Sequence, residues 1–185
     1  MSQVKIGIFL FFVLALPPVT NLLESIMIIH MHMQMPLLII SGFLIAPIFQ
    51  KMFPLFFSKW NENGTPGILL FVLIMIYWMI PRTMDDALTS DIVQLFKFIS
   101  LTFLAGVPLR DSWKKITNKI KTFIIIFFTI TFYAMGIVYI SWPDQLCNNY
   151  LIIEQITLGW GFITMAICST IYLSYTAIIN PAEYE

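Results

Sequence analysis

The chain has 185 residues, 59% of them hydrophobic and only 11% charged, with ten basic and ten acidic side chains. A mean hydropathy of +0.86, carried by long unbroken apolar runs, is more than a water-soluble domain of this size can bury, which excludes a soluble globular protein. The net charge of zero says little by itself, because in a membrane protein the placement of charge carries the information.

The first apolar run, residues 5–20, follows one lysine and ends at Pro17-Pro18. It lacks a small-x-small cleavage site and is therefore expected to be a retained span rather than a signal peptide. The second run, 22–49, holds both histidines of the chain. The third, 66–80, follows the breaker "NENGTPG" at 61–67, and the fourth, 91–109, follows "PRTMDDALTSD" at 81–91. The fifth and sixth, 122–142 and 151–179, are separated by "WPDQLCNN" at 142–149. Each run approaches or exceeds the roughly 20 residues a helix needs to cross the hydrocarbon core. The expected fold is all-α: a polytopic bundle of about six transmembrane helices forming a single domain over residues 1–185, without internal repeats.

One set of loops carries Lys5, Lys51, Lys59, Arg110, Lys114, Lys115, Lys119 and Lys121, whereas the opposite set carries only Arg82. The positive-inside rule then places both termini in the cytoplasm. Trp78 and Trp142 fall at the expected outer interface and Trp60 and Trp113 at the inner one, as an aromatic belt requires. The segment "RDSWKKITNKIK", beginning at Arg110, reads as an interfacial stretch held by anionic membrane lipid. His30, His32, Glu24, Asp85, Asp86, Asp91, Asp144, Cys147 and Glu154 all gather toward the outer side. Cys147 and Cys168 have no CxxC spacing, and no disulfide is expected between them.

Within "SIMIIHMHMQMPLL" (25–38), imidazole and thioether are the ligand types preferred by Cu(I). The candidate metal ligands are His30, Met27, Met31, Met33 and His32. Against this stands a plainer reading, in which methionine fills gaps between helices and the histidines hydrogen-bond within the bundle. At about 100° per residue, His30 and His32 point to nearly opposite sides of a regular helix, so one ion cannot take both. Met27, Met31 and Met35 form an i, i+4, i+8 stripe. Pro36 cannot donate to the carbonyl of His32, so a kink is expected there.

Lys97 lies inside the fourth span, and an intramembrane charge is a functional candidate by default. Glu24 and Glu154 fall in the same shallow layer, which makes Lys97–Glu24 and Lys97–Glu154 the candidate ion pairs, serving either assembly or proton transfer. Asp85, Asp86 and Asp91 read as a solvated acidic face able to attract cations. Gly159 and Gly161 read as close helix contacts. No P-loop, HExxH, CxxCH or nucleophile–base motif occurs, so no catalytic activity and no nucleic-acid partner is expected.

Three stretches together, "HMHMQMPLL" (30–38), "PRTMDDAL" with "KFISLTFLAGVPL" (81–88 and 97–109) and "DQLCNNYLIIEQ…G" (144–159), resemble the CtaG family of cytochrome oxidase copper-assembly factors, as a short and remote relative. His30 and Met31 match the start of that family's H-M-x-x-H-M-L-L helix, while Gln34 stands where its second histidine would be. Pro81 and Ala87-Leu88 match its loop, without the loop histidine. Asp144-Gln145 and Gly159 follow its late D-Q…G helix. The resemblance implies a bacterial inner-membrane protein that assists assembly or Cu(I) loading of a copper-containing oxidase, with His30 as the central ligand. The alternative is a non-catalytic accessory subunit held permanently in a membrane oxidase or monooxygenase complex. Either way the implied partners are membrane lipids and other subunits of a respiratory or oxidative complex.

Overall fold

The computed structural model describes residues 2–179, and every regular element among them is helical. In chain order these are α1 (Ser2–Ala15), α2 (Pro17–Glu24), α3 (Met27–Met52), α4 (Pro54–Trp60), α5 (Thr65–Met79), α6 (Pro81–Thr89), α7 (Asp91–Trp113), α8 (Asn118–Ser141) and α9 (Ile152–Ile178). Helices α3, α7, α8 and α9 are long and apolar enough to cross a membrane. Two bent pairs, α1 with α2 (73°) and α4 with α5 (87°), raise the number to six if each pair is one span.

The expected count of about six is reached only if each bent pair is one span, and proline shapes both pairs. Leu16 takes an extended backbone ahead of Pro17, because the proline ring disfavours the α conformation in the residue before it. Thr20 Oγ1 donates to the Leu14 carbonyl at 2.7 Å, so the break does not leave that acceptor unpaired. Phe53 departs from helical backbone ahead of Pro54 in the same way. Gly64, at φ +75°, supplies the left-handed residue from which α5 starts.

Helices α3 and α7 each contain a π-helical segment, His30–Gln34 and Ser100–Gly106. Both end two residues before a proline, Pro36 and Pro108. In an α register those prolines would leave the carbonyls of His32 and Leu104 without donors. A π turn shifts the register, and the Met35 N–H donates to the His30 carbonyl instead. The kink expected at Pro36 is realised as this widened turn. Pro47, inside α3, has no such segment, so proline permits the π turn without compelling it.

The described residues divide into two compact units, 2–116 with 147–150, and 117–146 with 151–179. In the first, α1 lies on α3 through Gly7, where an added Cβ would press on Ser41, Leu44 and Ile45. Gly42 of α3 faces the Thr102 carbonyl, and Gly106 faces the Ile39 carbonyl, so α3 and α7 touch backbone to backbone. A methyl at Gly42 or Gly106 would overlap main-chain atoms. In the second unit, α8 and α9 form a hairpin seamed by Gly136 and Gly159, with Tyr139 and Phe162 stacked at 5.8 Å between ring centres. Gly159 is the close contact expected of it, while Gly161 is only half-buried. Half of the most apolar stretch of α3 and of α7 is buried, but only 22% of that of α8 or α9. The hairpin therefore keeps most of its apolar surface outward, as helices facing lipid do.

Candidate functional site

Lys97 is fully buried in the first turns of α7. Its Nζ donates to Glu24 Oε1 at 2.5 Å, to His30 Nε2 at 3.0 Å and to Gln34 Oε1 at 3.2 Å. Those contacts use all three N–H bonds of an ammonium. Glu24, at the end of α2, also accepts from Gln34 Nε2 at 3.2 Å and from Gln94 Nε2 at 3.2 Å. His30 Nδ1 lies 2.9 Å from Tyr150 Oη, and that hydroxyl donates to the Glu24 carbonyl at 2.7 Å.

Proton positions follow from these partners. Tyr150 spends its single O–H on the Glu24 carbonyl, so the hydroxyl oxygen accepts from His30, which makes Nδ1 the protonated nitrogen. His30 Nε2 then offers its lone pair to Lys97. The network closes as Glu24 carboxylate, Lys97 ammonium and neutral His30, with no net charge. Burying an ion costs several kcal/mol after relaxation, and the site meets that cost by giving every polar atom of the pair a partner.

Of the two candidate ion pairs, the fold forms Lys97–Glu24. Glu154 instead accepts from the Leu151 N–H at 3.0 Å, at the N-terminus of its own helix α9. The five candidate metal ligands are divided. Met27, Met31 and His30 are buried, His32 is half-buried, and Met33 is half-exposed. The Met27–Met31–Met35 stripe is buried throughout, as packing methionines would be. Both ring nitrogens of His30 are engaged by protein groups, and the one facing Lys97 meets a positive charge. Among the described residues no three His, Cys, Asp or Glu side chains are grouped as a metal ion would need.

The acidic loop is also rearranged relative to expectation. Asp85 is not solvated: it is buried and accepts from the N–H groups of Asn148 and Asn149, both at 3.1 Å, and from Asn149 Nδ2 at 2.8 Å. It thereby fixes the 147–150 segment that brings Tyr150 to His30. Asp86 faces Arg82 at 3.9 Å on the surface, and Asp91 opens α7 in its first turn. Cys147 is buried beside Asp85, and its thiol is pushed up to about 12 by burial first and by the Asp85 charge second. Both effects favour the protonated thiol over the thiolate, the form that attacks electrophiles and binds metals. Both cysteines are free. Trp78 is buried against protein, with its Nε1–H on Ser100 Oγ at 2.9 Å.

A second polar cluster was not expected from the sequence. Asp111 accepts from Gln50 Nε2 at 2.8 Å, Asn61 Nδ2 at 2.6 Å and Lys115 Nζ at 2.7 Å. Asn61 Oδ1 accepts from the Gly67 N–H at 2.9 Å, tying the turn between α4 and α5 to α7. Within "RDSWKKITNKIK", then, Asp111 and Lys115 hold protein rather than lipid. The only advance signal was an acid inside a basic run. No protein-family model matches the chain, and no curated protein or solved structure is significantly similar to it.

Proposed function

We propose that this chain is a multi-pass protein of a bacterial inner membrane, with both termini cytoplasmic, acting as a non-catalytic accessory subunit of a membrane oxidase or monooxygenase complex. The observation that carries the non-catalytic, metal-free half of this reading is the arrangement around His30. Its two ring nitrogens are committed to Tyr150 and Lys97, so the side chain best matched to copper handling acts as a structural hinge between α3, α7 and the 147–150 segment. The oxidative partner rests on the resemblance to CtaG-type proteins in residues 30–38, 81–109 and 144–159.

A second reading, transient Cu(I) loading, is favoured by one observation: Met27 and Met31 are buried on the same turns as His30. Copper would have to displace the Lys97 ammonium from Nε2. Identifying the copurifying partners, then analysing metal in the chain after it is stripped of them, separates the two. An accessory subunit copurifies with a constant partner at fixed stoichiometry and carries far less than one copper per chain, unchanged by His30→Ala. Near-stoichiometric copper that disappears in His30→Ala would overturn the proposal.

A further inference from the structure

Lys5 and Ile8 of α1, Ile48 and Lys51 of α3, and Arg110 of α7 line one open cavity of about 580 Å³, together with Gln3. Three of the ten basic residues of a chain with zero net charge thus converge from three helices, all within the first unit. No carboxylate lines the cavity. The nearest acid in sequence, Asp111, is already taken by Gln50, Asn61 and Lys115. Lys5 and Lys51 are exposed and belong to none of the ion pairs among the described residues. Arg110 is held in place by one Nη–H on the Phe43 carbonyl at 3.4 Å and by the Phe43 ring at 4.8 Å. Its remaining N–H groups stay available.

The position matters as much as the charge. Lys5 lies near the start of α1 and Lys51 near the end of α3, so the cations sit at helix termini where a headgroup layer would be. Ile8 and Ile48 continue the cavity toward the apolar part of the same helices. Two ammoniums and a guanidinium above an aliphatic wall match a phosphodiester bearing acyl chains. A choline headgroup would bring a fourth cation against the same three.

We infer that this cavity is a binding site for an anionic phospholipid of the phosphatidylglycerol type, its phosphate between Lys5, Lys51 and Arg110 and an acyl chain along Ile8 and Ile48. The inference rests on the membrane-spanning reading but not on the oxidase partner or on copper. Of the 110–121 segment read as lipid-held, only Arg110 belongs to this cavity.

The test reconstitutes the full chain in phosphatidylcholine nanodiscs with increasing phosphatidylglycerol and counts lipid retained on gentle release by native mass spectrometry. One phosphatidylglycerol should be retained per chain in preference to phosphatidylcholine. Lys5→Gln with Lys51→Gln should weaken that retention roughly 25-fold, at about fivefold per ammonium–phosphate ion pair lost. Lys114→Gln with Lys119→Gln removes the same charge from exposed positions elsewhere and should leave retention intact. Equal loss in both double variants, or no loss in the first, would reduce the effect to general surface attraction and overturn the site. A third arm adds inorganic phosphate: displacement of the lipid at millimolar phosphate would show that the acyl wall contributes nothing, and would overturn the lipid assignment in favour of a free phosphate site.

Discussion

Replacing Lys97 by methionine removes the ammonium and keeps an unbranched side chain of similar length. Left behind are the Glu24 carboxylate, 8% exposed, the His30 Nε2 lone pair and Gln34 Oε1. Removing one partner of a buried ion pair costs roughly 3 to 5 kcal/mol in soluble proteins. Polar contacts between membrane helices measure lower, about 0.6 kcal/mol on average and up to about 1.7. Three lost contacts on that scale give roughly 2 to 5 kcal/mol. Gln34 and Gln94 still donate to Glu24, which holds the expected loss near 3 kcal/mol. Adding Glu24→Gln removes the stranded charge, and the double variant should recover about half of the loss. The assay is reversible unfolding in mixed micelles with a denaturing detergent, read by tryptophan fluorescence. Trp78, bonded to Ser100 one turn beyond Lys97, is the local reporter. If Lys97→Met stays within about 1 kcal/mol of the parent, or the double variant is no more stable than the single, the charged network is not what holds these helices together.

Other perturbations address the loop and the turn. Asp85→Ala strips three acceptor contacts from Asn148 and Asn149, so the 147–150 segment should loosen. Cys147 should then label with maleimide at pH 8 many times faster than in the parent, and equal labelling rates would refute this role for Asp85. The same thiol has a folded value near 12, above its ordinary 9.0. It therefore contributes stability that is complete below about pH 9.0 and is lost as pH rises toward about 12. An unfolding midpoint flat across that window, once compared with Cys147→Ser, would contradict it. Asn61→Ala leaves the Gly67 N–H without its acceptor and takes one of two donors from Asp111 Oδ2, which keeps Lys115, and should cost about 1 to 3 kcal/mol. Amide exchange should accelerate at residues 61–68 and stay unchanged in α8, whereas protection unaltered at the turn would dismiss the latch.

How much of this was readable beforehand differs between scaffold and site. The apolar runs located the long helices to within a few residues, because hydropathy over a span-length window reports directly on solubility in lipid. Lys97 and Glu24 were singled out as a pair because a charge inside an apolar run needs a partner, and the structure supplies it. Glu154 satisfied the same criterion equally well. Depth in the bilayer is readable from sequence, but azimuth and neighbour are not, and Glu154 proved to cap its own helix. Tyr150, Asp85 and Asn61 carried no sequence signal of their roles, and Asp111 only that of an acid inside a basic run. Each acts on a residue 50 to 120 or more positions away, and local pattern does not encode such distances.

The histidine run shows the division most clearly. Sequence chemistry alone determined that imidazole and thioether lie together in an apolar helix, that Pro36 would disturb its register, and that one ion could not take both histidines from a regular turn. Only the tertiary structure decided what His30 touches. The π turn sets its ring between Tyr150, delivered by a loop that Asp85 holds, and Lys97, delivered by α7. A side chain's ligand is whatever the fold places at its lone pair, and here the fold places an ammonium.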